Sequence, residues 1–110
     1  MPRLEWSERA LSGLEQLVLS HHLPSDTRDR IEESARPLER FPRFGPEIGK
    51  LPDGSKLRFL IGPWPWLVIV YLFIESDDRV GVVSIEDGRA ASSTVSRARR
   101  RPPRRRPPRP

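Results

Sequence analysis

The sequence has no cysteine. That removes disulfides, thiolate metal sites and thiol nucleophiles, and it fits a reducing cytoplasm. Histidine is scarce: His21 and His22 are the two in the chain. Adjacent side chains diverge and no third ligand stands nearby, so neither a metal nor any other cofactor is expected. No serine sits in a G-x-S-x-G elbow, and Gly45, Gly49 and Gly54 do not open a phosphate-binding loop ending in Lys-Ser or Lys-Thr. The longest apolar run, Trp66 to Ile74, is too short to span a bilayer as a helix. The segment Met1 to Trp6 lacks the apolar run of a signal peptide. We therefore expect a soluble, cytoplasmic protein with no membrane partner.

Acid is missing from one region. Arg97 to Pro110 holds eight arginines, five prolines and one alanine. The other twelve basic residues face all fifteen acids, so the chain up to Ser96 carries a formal charge of −3 although the whole carries +5. The basic character belongs to the tail, not to the fold. An Arg/Pro segment cannot bury apolar surface and is expected to be disordered. Two readings of it stay open: a non-specific grip on polyanions through counterion release, or the read-through end of a GC-rich gene.

What is present is a sheet pattern. Lys56 to Ile61, Trp66 to Ile74 and Val80 to Glu86 are β-branched and aromatic runs separated by short breaker clusters. They predict three consecutive antiparallel strands. The middle run is apolar throughout, which predicts a central strand buried on both sides or, in a domain this small, half covered on one face. Upstream, Arg3 to Trp6 alternates as a short edge strand with Leu4 and Trp6 inward. Ser7 is a candidate N-cap. Ala10, Leu11, Leu14, Leu17 and Val18 then recur at helical spacing up to about Ser20. Ser25 is a second candidate cap, and Ile31, Ala35 and Leu38 mark a second helix that Pro37 should stop near Arg36. Phe41 to Gly54 reads as a Pro/Gly-rich loop. The expected fold is α+β: an N-terminal helical hairpin packed on a small antiparallel sheet in the order β-α-α-β-β-β. Residues 1–95 form the domain, and 96–110 the tail.

The order of elements, with Phe41-Pro42-Arg43-Phe44-Gly45, Leu51-Pro52-Asp53-Gly54-Ser55-Lys56-Leu57-Arg58, Val70-Tyr71 and Gly88-Arg89, resembles the RelE/ParE superfamily of bacterial type II toxins. The resemblance covers Leu4 to about Arg89. It implies a growth-inhibiting toxin-antitoxin component, neutralised by a cognate antitoxin. RelE-like members cut mRNA on the ribosome with basic residues and a tyrosine. ParE-like members inhibit DNA gyrase without clear catalytic residues. Lys56, Arg58 and Arg89 match basic positions of the superfamily and are the catalytic candidates if the chain is a nuclease. Leu67, Val68 and Ile69 stand where the nuclease pattern has an arginine, and no tyrosine or histidine follows Tyr71. The resemblance therefore implies a ParE-like, gyrase-directed toxin. A ribosome-dependent endoribonuclease and an inactive binding module are the alternatives.

The same residues have plainer readings. Lys56 and Arg58 alternate with apolar neighbours, as on any solvated strand face. Arg89 can pair with Asp87 in a turn. Trp64 and Trp66 flank Pro65 in a hairpin tip and either cap the core or anchor a partner. Arg58, Trp64 and Arg89 are the candidate contacts to partner or nucleic acid.

Overall fold

Helical and strand periods alternate along the chain, and each builds its own layer. The computed structural model describes residues 2–90 and 93–100. The first strand, β1 (Arg3–Trp6), alternates exposed and half-buried residues, with Leu4 and Trp6 packed on the core. Helix α1 (Glu8–Ser20) starts where Ser7 Oγ accepts the Ala10 N–H at 3.0 Å. Its apolar face buries Ala10 and Leu14. A Cβ on Gly13 would come within 2.8 Å of the Ile85 carbonyl oxygen, so α1 lies unusually close to the sheet.

Helix α2 (Thr27–Ala35) has its N-cap at Asp26, one residue after the expected Ser25. Asp26 holds the N-cap position but makes no side-chain cap bond, because its carboxylate takes Arg30 Nε at 2.9 Å. Thr27 Oγ1 instead donates to the Pro24 carbonyl at 2.6 Å. The expected stop before Pro37 is observed. The chain tightens into a 3₁₀ turn over Arg36–Glu39, which drops Leu38 into the core.

Four further strands follow: β2 (Glu47–Lys50), β3 (Lys56–Ile61), β4 (Leu67–Ile74) and β5 (Arg79–Asp87). The sheet has five strands in the order β1-β5-β4-β3-β2. The apolar run is thus the middle strand, as expected, and it is buried from Leu67 to Tyr71. Leu72 to Ile74, at its far end, are half-buried.

The expected architecture changes in three ways. First, β2 forms inside the region read as a loop, pairing antiparallel with β3 through a register shift between Glu47 and Gly49. Second, the sheet is mixed. β1 pairs parallel to β5, from Arg3 opposite Arg79 to Trp6 opposite Val82, because the two helices carry the chain back before the meander starts. Third, helix α3 (Thr94–Arg100) crosses the boundary placed between 95 and 96. The rest of the tail, 101–110, lies outside the described residues.

The sheet has a core on each face. On one, α1, α2 and the 3₁₀ turn bury Ile31, Leu38, Leu67, Ile69, Tyr71 and Val82. On the other, Val95 of α3 packs on Val68 and Val70, with Leu57, Phe59 and Val83 around them. An extra residue in β5 opposite the Val70–Tyr71 step lets Val82 and Ile85 both reach the helix side. No helix among the described residues is long and apolar enough to cross a membrane.

Candidate functional site

Alternation along β3 decides where its cations go. Leu60 joins the helix-side core, and Leu57 and Phe59 join the other. Lys56 and Arg58 therefore share the helix side, beyond the helices' cover. Arg58 is half-buried and its guanidinium is engaged. Nη1 donates to the Gly45 carbonyl at 2.8 Å and to the Arg43 carbonyl at 3.3 Å, and Nη2 donates to Glu47 Oε1 at 3.3 Å. Lys56 Nζ lies 3.2 Å from the same Glu47 oxygen.

Tyr71 is the cross-strand partner of Arg58. It is fully buried, and its hydroxyl accepts the Gly45 N–H at 2.7 Å. Burial raises its pKa, which keeps it a neutral phenol. A Cβ on Gly45 would collide with the Phe59 carbonyl oxygen and the Tyr71 hydroxyl, so only glycine fits between these strands. Gly45 is thus fixed from both of its backbone polar groups. The segment it ends displays Phe41 and Phe44, which are 61% and 67% exposed. Arg43 pairs with Glu75 and sits 5.1 Å over the Phe73 ring. Arg43, Lys56, Arg58, Phe73 and Glu75 line a cleft of about 350 Å³.

Arg89 lies at the other end of β4. Leu67, the first residue of β4, pairs with Asp87, and Arg89 follows in the turn. Its guanidinium grips Asp87 with two bonds, 3.0 Å from Nε to Oδ1 and 2.9 Å from Nη2 to Oδ2. These bonds lower the Asp87 pKa and raise that of Arg89. The same guanidinium stacks 5.0 Å over Trp66. His21, just past α1, is 4.7 Å from Trp66 by ring centroids and puts Nε2 3.4 Å from Asp87 Oδ2. Trp64 stacks 6.0 Å behind Trp66 and carries Arg30 at 5.8 Å. Both indoles are half-buried against the core.

The three catalytic candidates fall into two groups. Arg58 sits level with Tyr71 and Arg89 lies past Leu67, a separation of roughly 13 Å along the strand alone. They also flank β4 from opposite sides. Each group carries its own carboxylate: Glu47 for Lys56 and Arg58, Asp87 for Arg89. Among the described residues, no group of three His, Asp or Glu could hold a metal.

No protein-family model matches the chain, and no curated protein matches it.

Two arrangements escaped sequence reasoning. One is the pair of exposed phenylalanines at 41 and 44, which no local pattern marks as facing outward. The other is Glu86. It accepts the Thr94 N–H at 2.9 Å and the Thr94 hydroxyl at 2.8 Å, and also takes the Ser84 hydroxyl. Ser96 Oγ donates to the Gly88 carbonyl at 2.9 Å. These bonds hold the start of α3 on the sheet, and no local pattern announces them.

Proposed function

We propose that the chain is a non-catalytic toxin of the RelE/ParE type, directed at DNA gyrase and held inactive by a cognate antitoxin. The observation that carries this reading is the meeting of Gly45, Arg58 and Tyr71. These residues come from the separate P-x-x-G, L-x-x-G-x-x-x-R and V-Y motifs of the resemblance, and they form one hydrogen-bonded unit. Their roles are then to fix a loop, not to move a proton. A guanidinium that already serves two carbonyls and a carboxylate has few donors left for a phosphate. Helices between a first strand and a closing meander also fit the type. Phe41 and Phe44, displayed on the fixed loop, suit a partner protein better than a reacting substrate.

The test is induction of the full chain in a bacterial host, following growth, bulk translation and DNA-damage signalling together. Arrest with filamentation and early DNA damage supports the reading. An early fall in translation with cut mRNA, abolished by Arg58→Ala in a variant that still folds, would replace it with the nuclease. Absence of arrest would leave an inactive binding module.

A further inference from the structure

A strand in a parallel pair turns the backbone groups of every second residue towards its neighbour, and β1 has β5 alone beside it. The Arg3 and Ser7 N–H groups donate to the Asp78 and Val82 carbonyls of that side, at 3.0 and 3.1 Å. The N–H and C=O of Leu4 and Trp6 therefore point out of the sheet. Among the described residues, no turn, cap or side chain takes them up. The opposite edge is guarded. There β2 shifts register between Glu47 and Gly49 and lies beside α3, and a bulge turns an edge away from further pairing. β1 keeps its register throughout.

The side chains of β1 select what can pair with it. Leu4 and Trp6 pack on the helix-side core yet stay half-buried, so part of each remains open at the edge. Arg3 and Glu5 share the other face by alternation. Arg3 stands opposite Arg79 of β5, a like charge, and no carboxylate among the described residues pairs with it. Arg79 takes one Glu5 oxygen, Oε2, at 3.1 Å, which leaves the other for a second cation. The run Arg3-Leu4-Glu5 is its own complement. Laid antiparallel to a copy of itself about Leu4, it sets each Arg3 opposite the Glu5 of the other copy.

We propose that β1 joins two copies of this chain into a two-fold dimer, with antiparallel β1 strands centred on Leu4 making one continuous sheet. Leu4 of each copy then exchanges both backbone bonds with Leu4 of the other, and the open parts of both side chains meet. Opposite charges pair across the junction on the face away from the helices. An unrelated strand would match the backbone groups but not the order of cation, leucine and carboxylate. The dimer does not depend on what the protein inhibits.

Sedimentation velocity of the full chain across a concentration series tests it. We expect a reversible shift from the 12.7 kDa monomer towards twice that mass, as suits a small contact. Arg3→Glu and Glu5→Arg replace exposed side chains, so each variant should keep the native circular dichroism spectrum. Each should weaken association about tenfold, because cross-strand attractions become repulsions. Mixed in equal amounts, the two variants should regain the native association, since every junction pair is then opposite in charge. Lys50→Glu, on the β2 edge, should leave association unchanged. A monomer at every concentration up to about 1 mM overturns the proposal. So does association that survives both single variants, that mixing fails to restore, or that Lys50→Glu abolishes.

Discussion

Arg58 and Arg89 were singled out for the same reason, yet they hold opposite places in the fold. The Arg58 side chain is 14% exposed and bonded mainly to backbone carbonyls. The Arg89 side chain is 63% exposed and bonded to a carboxylate two residues away. A cation that serves carbonyls fixes backbone, and its loss takes the donor from the part-buried Gly45 carbonyl. A cation on the surface leaves no carbonyl without its donor, and Asp87 keeps the Arg89 N–H and His21 beside it. The two ends of β4 therefore differ in what they can give up. The Arg58 end is a structural knot, and the Arg89 end is a surface cluster of rings and charges.

Mutations at the two ends should separate this contrast, most strongly at the first. Arg58→Ala should cost about 2–3 kcal/mol in urea unfolding, since it strands the Gly45 and Arg43 carbonyls. A loss too small to measure would erase the distinction between the ends. Tyr71→Phe should cost about 1–2 kcal/mol by leaving the Gly45 N–H without its acceptor. Amide exchange at Gly45 should rise with it, and an unchanged rate would mean the loop is fixed by something else. At the other end the effect should be one of pH. Asp87 has a folded pKa below its ordinary 3.8. Its pairing therefore stabilises fully above that value and is lost as pH falls through the folded one. Thermal midpoints between pH 5 and 2.5 should show Asp87→Asn losing less on acidification than the native chain. Parallel curves would count against the pairing. The smallest effect is expected from Arg89→Ala at neutral pH, where the urea midpoint should fall slightly because Asp87 loses its main partner.

Much of the fold was legible because it follows periodicity. The apolar faces of α1 and α2, the stop before Pro37 and the three long strands all come from local patterns. What was not legible depends on distant groups. β2 has Ile48 as its one large apolar residue, beside Gly49, and exists because β3 offers an unpaired edge. α3 has hydroxyls and small residues at its start and is held by Glu86, eight residues upstream. Sequence also named the candidate cations without their partners. Asp87 was close enough to suggest a pair, but Glu47 stands eleven residues from Arg58, and the carbonyls that occupy Arg58 follow no residue type. Neither could the chain announce that Phe41 and Phe44 face outward, since a phenylalanine in a proline-rich segment reads equally as core.

The parallel pairing of β1 with β5 also sets a schedule. Ribosomes add about 5–20 residues per second, so β5 is made on the order of 4–16 s after β1. Throughout that interval the helices have no completed sheet to lie on, and their apolar faces stay uncovered. Nascent chains stalled before Arg79 should be digested along their length, and chains with β5 clear of the ribosome should resist. Any protein that waits beside the ribosome for this chain therefore has several seconds to reach surfaces that the finished molecule hides.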